Sequence, residues 1–161
     1  IEDAIFDLDR HWIPEHKGVP AHWHYDVRFV IRAQGSEAYV VSEEQGDLQV
    51  ILIATGSEVA VALAAQDVLQ AEGVPTRVVS MPCQEWFDEQ DPAYREQVLP
   101  AAVTARVSVE AGIAMGWAKY LGANGASVSI EHFGASASGN KCFEEFGFTP
   151  DNIANTAKSL L

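Results

Sequence analysis

Leu48-Gln49-Val50-Ile51-Leu52-Ile53-Ala54-Thr55, followed at once by Gly56-Ser57-Glu58 and the run Val59–Glu72, is the stretch that decides the fold. Its first part is apolar and β-branched at adjacent as well as alternate positions, so a strand built from it needs cover on both faces. That is the pattern of a central strand in a sheet with helices on each side. Gly56-Ser57-Glu58 offers a tight turn with Ser57 suited to an N-cap, and Ala, Val, Leu and Gln carry the next segment until Gly73 stops it. A buried helix of about four turns at 3.6 residues each follows.

Outward from this unit the same alternation continues. Thr76–Met81 reads as a second strand ended by Pro82, Glu85–Gln90 as a short helix, and Pro92–Val98 as a helix opened by its proline. Ala105–Glu110 and Ala126–Ile130 read as further strands with a helix over Gly112–Leu121 between them; Glu131–Asn140 is a loop. Lys141–Phe146 and Asp151–Leu161 are closing helices, with the Asp151 charge favourable near a helix start. Strands alternating with helices predict the α/β class: a three-layer α/β/α sandwich with a mostly parallel sheet.

Upstream the text changes character. Residues 1–47 hold four of the five histidines, His11, His16, His22 and His24, and two of the four tryptophans. The expected seam lies at Gly46–Leu48, dividing a β-rich extension, 1–47, from an α/β domain, 48–161. The chain has 161 residues, 48% apolar, with 10 Lys plus Arg against 23 Asp plus Glu and a net charge of −13. That excess repels phosphate backbones and anionic lipid, which predicts no nucleic-acid and no membrane partner. The longest apolar runs, Val50–Ala54 and Val59–Ala65, fall short of the about 20 residues that span a bilayer. Cys83 and Cys142 lie far apart without a ligand pattern and read as buried or idle thiols of a reducing compartment. With no signal-peptide pattern at the start, the expected location is the cytoplasm, and a first residue of Ile1 points to a processed product, a fragment or a trimmed chain.

From Leu52 onward the residues resemble a known family. Ile53-Ala54-Thr55-Gly56-Ser57-Glu58-Val59, Arg77-Val78-Val79-Ser80-Met81-Pro82, Tyr94-Arg95-Glu96 with Val98-Leu99-Pro100, and Ala105-Arg106-Val107-Ser108-Val109-Glu110-Ala111-Gly112 are similar to the C-terminal domain of transketolase. Phe133-Gly134-Ala135-Ser136-Ala137 and Phe143-Glu144-Glu145-Phe146-Gly147-Phe148-Thr149 extend the likeness. The resemblance implies one edge strand antiparallel to the rest. It also implies that thiamine diphosphate and a divalent metal belong to other domains, so this chain alone carries no cofactor and no catalytic residue, and self-associates as a homo-oligomer. Where the family has proline after Ser136-Ala137, this chain has Ser138-Gly139-Asn140, and the loop there is expected to be looser or refolded.

The first segment resembles a different family. Ile5-Phe6-Asp7-Leu8-Asp9, Ile13-Pro14, Lys17-Gly18, Pro20-Ala21-His22-Trp23-His24-Tyr25-Asp26-Val27-Arg28-Phe29 and Val41-Ser42-Glu43-Glu44 are similar to the stretch after the catalytic helix of Nudix hydrolases. The Nudix box is absent, and with it the carboxylates that would hold magnesium. The two resemblances together imply a chimera in which Glu37–Val41 supplies the edge strand that the second part needs, since an uncovered apolar edge invites aggregation.

Candidate site residues are few. On a strand, His22 and His24 project from one face with Asp26 next in line, a candidate zinc or nickel site that competes with a plain structural strand. Thr55, Gly56 and Ser57 close a strand and open a helix, where free amides and the helix dipole can hold a phosphorylated small molecule; the same residues also serve a simple turn. Glu110, Glu131 and His132 share a sheet edge without a nucleophile, so acid–base chemistry is unsupported. Lys141 beside Cys142 could lower a thiol pKa, but Phe143 and Phe146 favour a packed helix. Trp86, Phe87, Trp117 and Tyr120 read as core or subunit contacts. The expected role is structural; the alternatives are regulatory binding of a phosphorylated metabolite or residual Nudix-type phosphohydrolase activity.

Overall fold

The computed structural model describes residues 47–161 in full and, ahead of them, the backbone of residues 2–13 and 22–32. The chain divides into two units, Ile1–Val41 and Ser42–Leu161. In the first, β1 (Glu2–Ile13) and β2 (His22–Arg32) pair antiparallel, with Ile13 opposite His22 and His11 opposite His24, and a register shift between Ile5 and Asp7. The edge strand expected at Glu37–Val41 lies outside the described residues.

The second unit contains β3 (Val50–Ala54), α1 (Glu58–Ala71), β4 (Thr76–Ser80), α2 (Gln84–Asp88), α3 (Pro92–Val98) and β5 (Ala105–Val109). A 3₁₀ turn at Ala114–Trp117 leads into α4 (Ala118–Leu121), then β6 (Ala126–Val128), α5 (Gly139–Glu145) and α6 (Pro150–Lys158). The sheet has the order β4-β3-β5-β6, and all three pairings are parallel. This is the expected α/β architecture with its mostly parallel sheet; among the described residues no antiparallel edge strand joins it.

Strand β3 is central because both its faces are apolar. Val50, Leu52 and Ala54 point to one side and meet Ala62, Ala65 and Leu69 of α1, Ile153, Ala154 and Ala157 of α6, and Phe148. Ile51 and Ile53 point to the other and meet Val79, Met81, Leu99, Val103, Trp117, Tyr120 and Leu121. All five β3 residues are fully buried. At about 25 cal/mol per Å² of apolar surface, this double-sided cover is the main stabilising term of the unit. Trp117 and Tyr120 are core residues as read from sequence, whereas Trp86 is 70% exposed and does not belong to this core.

Local chemistry sets the helix ends. Asp91 caps α3 by accepting from the backbone N–H groups of Ala93 and Tyr94 at 2.8 and 3.0 Å, and Pro92 follows in the first turn. Thr149 caps α6, accepting from the Asn152 N–H at 3.3 Å, and Asp151 stands in its first turn, where its charge is favourable as expected. The helix expected over Gly112–Leu121 is instead a 3₁₀ turn followed by a single α turn, with Gly116 inside the first. Gly116 weakens the helical preference of this short segment, costing about 1 kcal/mol relative to alanine in a helix interior, and its first turn is 3₁₀, as is frequent at helix N-termini. The loop that departs from the family pattern enters α5, with Ser138 at its N-cap position.

Candidate functional site

The chain passes from β3 through α1 to β4 on one side, then crosses back to β5 on the other side of β3. The carboxyl ends of β3 and β5 therefore flank the point where strand order reverses, which is where open α/β sheets place ligands. A cleft of about 330 Å³ opens there, lined by Thr55, Cys83, Gln84, Glu85, Glu110 and Trp117 among others.

Several polar groups in and beside it have partners within the chain. The Thr55 hydroxyl donates to Glu110 Oε2 at 2.9 Å, and the Ser57 hydroxyl to Glu58 Oε2 at 3.0 Å. The Ala111 backbone N–H donates to Glu58 Oε1 at 3.1 Å, joining the start of α1 to the end of β5. Glu58, 6% exposed, stands in the first turn of α1, where the helix dipole favours a negative charge. Beside Thr55, Gly56 and Ser57, the residues expected to hold an anion, stand the carboxylates of Glu58 and Glu110. Ser57 holds the N-cap position with helical dihedrals and makes no capping hydrogen bond, because its hydroxyl is turned to Glu58. A phosphorylated ligand there would confront both Glu58 and Glu110.

The remaining acid–base candidates are separated from one another by structural duties. Glu131 accepts from the Ala114 N–H at 2.8 Å and the Ser129 hydroxyl at 3.0 Å, bonds that hold its carboxyl below the usual range. His132 lies edge-on to Phe146, with Nδ1 2.8 Å from the Phe133 carbonyl. Lys141 pairs with Glu144 and Glu145 rather than with the Cys142 thiol, which faces the Ala135 carbonyl at 3.7 Å. Both cysteines are free and half-buried.

A second depression, about 380 Å³, lies between α2, α3 and α4 and holds groups that the sequence reading passed over. Asp88 accepts from Lys119 and, at 3.1 Å, from the Tyr120 hydroxyl; its bond to Lys119, above all, keeps its carboxyl below the ordinary value. The same bond raises the Lys119 ammonium, while burial raises the Tyr120 phenol. The Arg106 guanidinium donates to the carbonyls of Val103, Tyr120, Leu99 and Pro100 at 2.8, 2.8, 3.2 and 2.8 Å, and burial lowers its pKa. Lys119 and Arg106 are thus engaged internally, while Arg95 also lines the depression and its charge helps to lower the Asp88 carboxyl. Among the described residues, no group of three or more His, Cys, Asp or Glu could hold a metal ion, and no helix is long and apolar enough to cross a membrane. The side chains of His22 and His24 lie outside what is described.

A parallel sheet in the order β4-β3-β5-β6, with α1 and α6 on one face, matches known proteins in both sequence and shape. The family of transketolase-like TK C-terminal domains matches residues 38–149, starting upstream of the expected seam. The chain belongs to this family. Transketolase 1 of Escherichia coli K12 is 59% identical over 123 residues, covering 76% of this chain and 19% of that protein. Transketolase of Streptococcus pyogenes is 56% identical over 123 residues, 76% of this chain and 17% of its own length. Among solved structures, transketolase from Leishmania mexicana superposes with a TM-score of 0.66 at 44% identity, covering 73% of this chain and 17% of that one. A split-gene transketolase, an inactive beta4 tetramer, shares the fold with a TM-score of 0.55 at 21% identity. The chain spans less than a fifth of the length of the curated transketolases it matches. The switch-point cleft of this transketolase-like domain presents Glu85 and Glu110 and no cation to the diphosphate of thiamine diphosphate.

Proposed function

We propose that this chain acts as a non-catalytic structural domain of a transketolase-type protein, self-associating and binding neither thiamine diphosphate nor a metal. The observation that supports this most is the hydrogen bonding beside the switch point, where Thr55 is paired with Glu110, and Ser57 and the Ala111 amide with Glu58. A site arranged for phosphorylated sugars would present free donors and positive charge in that place. Self-association is favoured by apolar side chains left at the surface of this unit, Trp86 70%, Met115 80% and Phe133 99% exposed. The reading includes a cytoplasmic location, a domain division near residues 47 and 48, and derivation of the segment ahead of the family match, which starts at residue 38, from a Nudix hydrolase without its metal-binding box, making the chain a chimera; it rests on the motifs of that segment.

The test uses the full chain with thiamine diphosphate, magnesium and a ketose and aldose phosphate pair, alongside calorimetry with the sugar phosphates and light scattering. The expected result is no ketol transfer, no heat at millimolar ligand and a mass above that of one chain. Turnover would overturn the non-catalytic role. Saturable heat abolished by Thr55→Val would establish regulatory binding of a phosphorylated metabolite instead, and magnesium-dependent cleavage of a nucleoside diphosphate would establish residual Nudix activity.

A further inference from the structure

The turn between α4 and β6 reads Gly122-Ala123-Asn124-Gly125-Ala126. Asn124 is exposed and borders an open depression of about 310 Å³ shared with Leu121, Ala123 and Arg106. Among the described residues, no hydrogen bond engages its side-chain amide or the backbone N–H of Gly125. Glycine lacks a Cβ, so its nitrogen can approach the side chain of the residue before it. Of the four asparagines, Asn140, Asn152 and Asn155 are followed by Lys141, Ile153 and Thr156, which hinder that approach.

We infer that Asn124-Gly125 is a site of spontaneous deamidation whose product loosens the edge strand β6. The Gly125 nitrogen gives its proton to solvent base and forms a bond to Cγ of Asn124. The Cγ–Nδ2 bond breaks, and the amide nitrogen takes up a proton from water and leaves as ammonia. Water then opens the resulting succinimide at one of its two carbonyls. Addition at Cγ restores the main chain with aspartate at 124; addition at the main-chain carbonyl leaves isoaspartate, whose backbone runs through the former side chain. No oxidant or reductant takes part, and the chain gains one mass unit and one negative charge.

Packing retains the sensitive dipeptide. A Cβ on Gly125 would stand 2.6 Å from Leu121 Cβ, 2.8 Å from the Leu121 carbonyl oxygen and 2.9 Å from that of Arg106, so no residue with a side chain fits there without displacing backbone. The product matters because Ala126, next in the chain, begins the pairing of β6 with β5 opposite Val107. With three residues in β6, an added main-chain carbon at its entry disturbs a large share of its ladder.

The experiment ages the full chain in mildly alkaline buffer, follows each asparagine by peptide mass mapping with an isoaspartyl methyltransferase assay, and measures hydrogen exchange before and after. The Asn124 peptide is expected to gain one mass unit about tenfold or more faster than those of Asn140, Asn152 and Asn155, because only there does glycine follow. Isoaspartate should accumulate, exchange should rise at Ser127 and Val128, and Asn124→Gln and Asn124→Ser should both abolish these changes. Loss of the Asn124 amide no faster than the other three would overturn the site. Isoaspartate without faster exchange in β6 would overturn its effect on the strand.

Discussion

Arg106→Met keeps most of the side-chain volume and removes a guanidinium that donates to the carbonyls of Val103, Tyr120, Leu99 and Pro100. Two of these carbonyls close the region after α3 and one belongs to α4, so the side chain ties two helix ends to β5. Hydrogen bonds from a charged donor contribute about 1.5–3 kcal/mol each when fully buried. Arg106 is half-buried, and water can reach some of the carbonyls once the guanidinium is gone. The expected loss is therefore well below the sum of four such bonds, about 2–4 kcal/mol, equivalent to roughly 10 °C in Tm for a unit of this size. Urea unfolding followed by circular dichroism reads the effect as a lower midpoint at unchanged slope. Arg106→Lys retains the charge but not the planar fork and should recover less than half of the loss. A methionine variant within about 0.5 kcal/mol of the parent chain, the range of an ordinary surface substitution, would refute the assignment of Arg106 as the tie between these elements.

Two further outcomes follow from the same kind of reasoning. Asp91→Ala should cost about 1 kcal/mol by removing the acceptor of the Ala93 and Tyr94 N–H groups, seen as a lower unfolding midpoint, while Asp91→Asn should cost less. Glu131 has a folded pKa below its ordinary value of 4.5, so its contribution is present above 4.5 and disappears as pH falls through the lower folded value. Melting curves of Glu131→Gln and the parent chain should thus differ at neutral pH and converge in strong acid; a gap that persists there would show that the carboxylate charge is not what stabilises the loop.

The strands and α1 were legible because their signals are local. Alternating and double-faced apolar runs such as Val50–Ala54, punctuated by Gly56, Gly73 and Pro82, specify an element within a window of a few residues. Boundaries agree to within a residue or two at α1 and β4, and fail at Gly112–Leu121, where the first turn is 3₁₀, a distinction that a helical pattern of apolar residues does not disclose. The exposure of Trp86 was equally illegible, since an aromatic residue in a short helix reads the same whether the face beyond it is filled or open.

By itself, then, the sequence determined the α/β class, the central strand and the family, because periodicity, turn residues and ordered motifs are properties of short stretches. The tertiary structure alone decided which groups stand against the residues at Thr55–Ser57. Glu110 reaches Thr55 across 55 positions of sequence, and Ala111 reaches Glu58 across 53, only because β5 crosses back to lie beside β3. The same crossing sets Arg106 among its carbonyls and brings its own carbonyl against Gly125. Hydrogen-bond partners so distant along the chain are assigned by strand order, and strand order is settled by the packing of both sheet faces together.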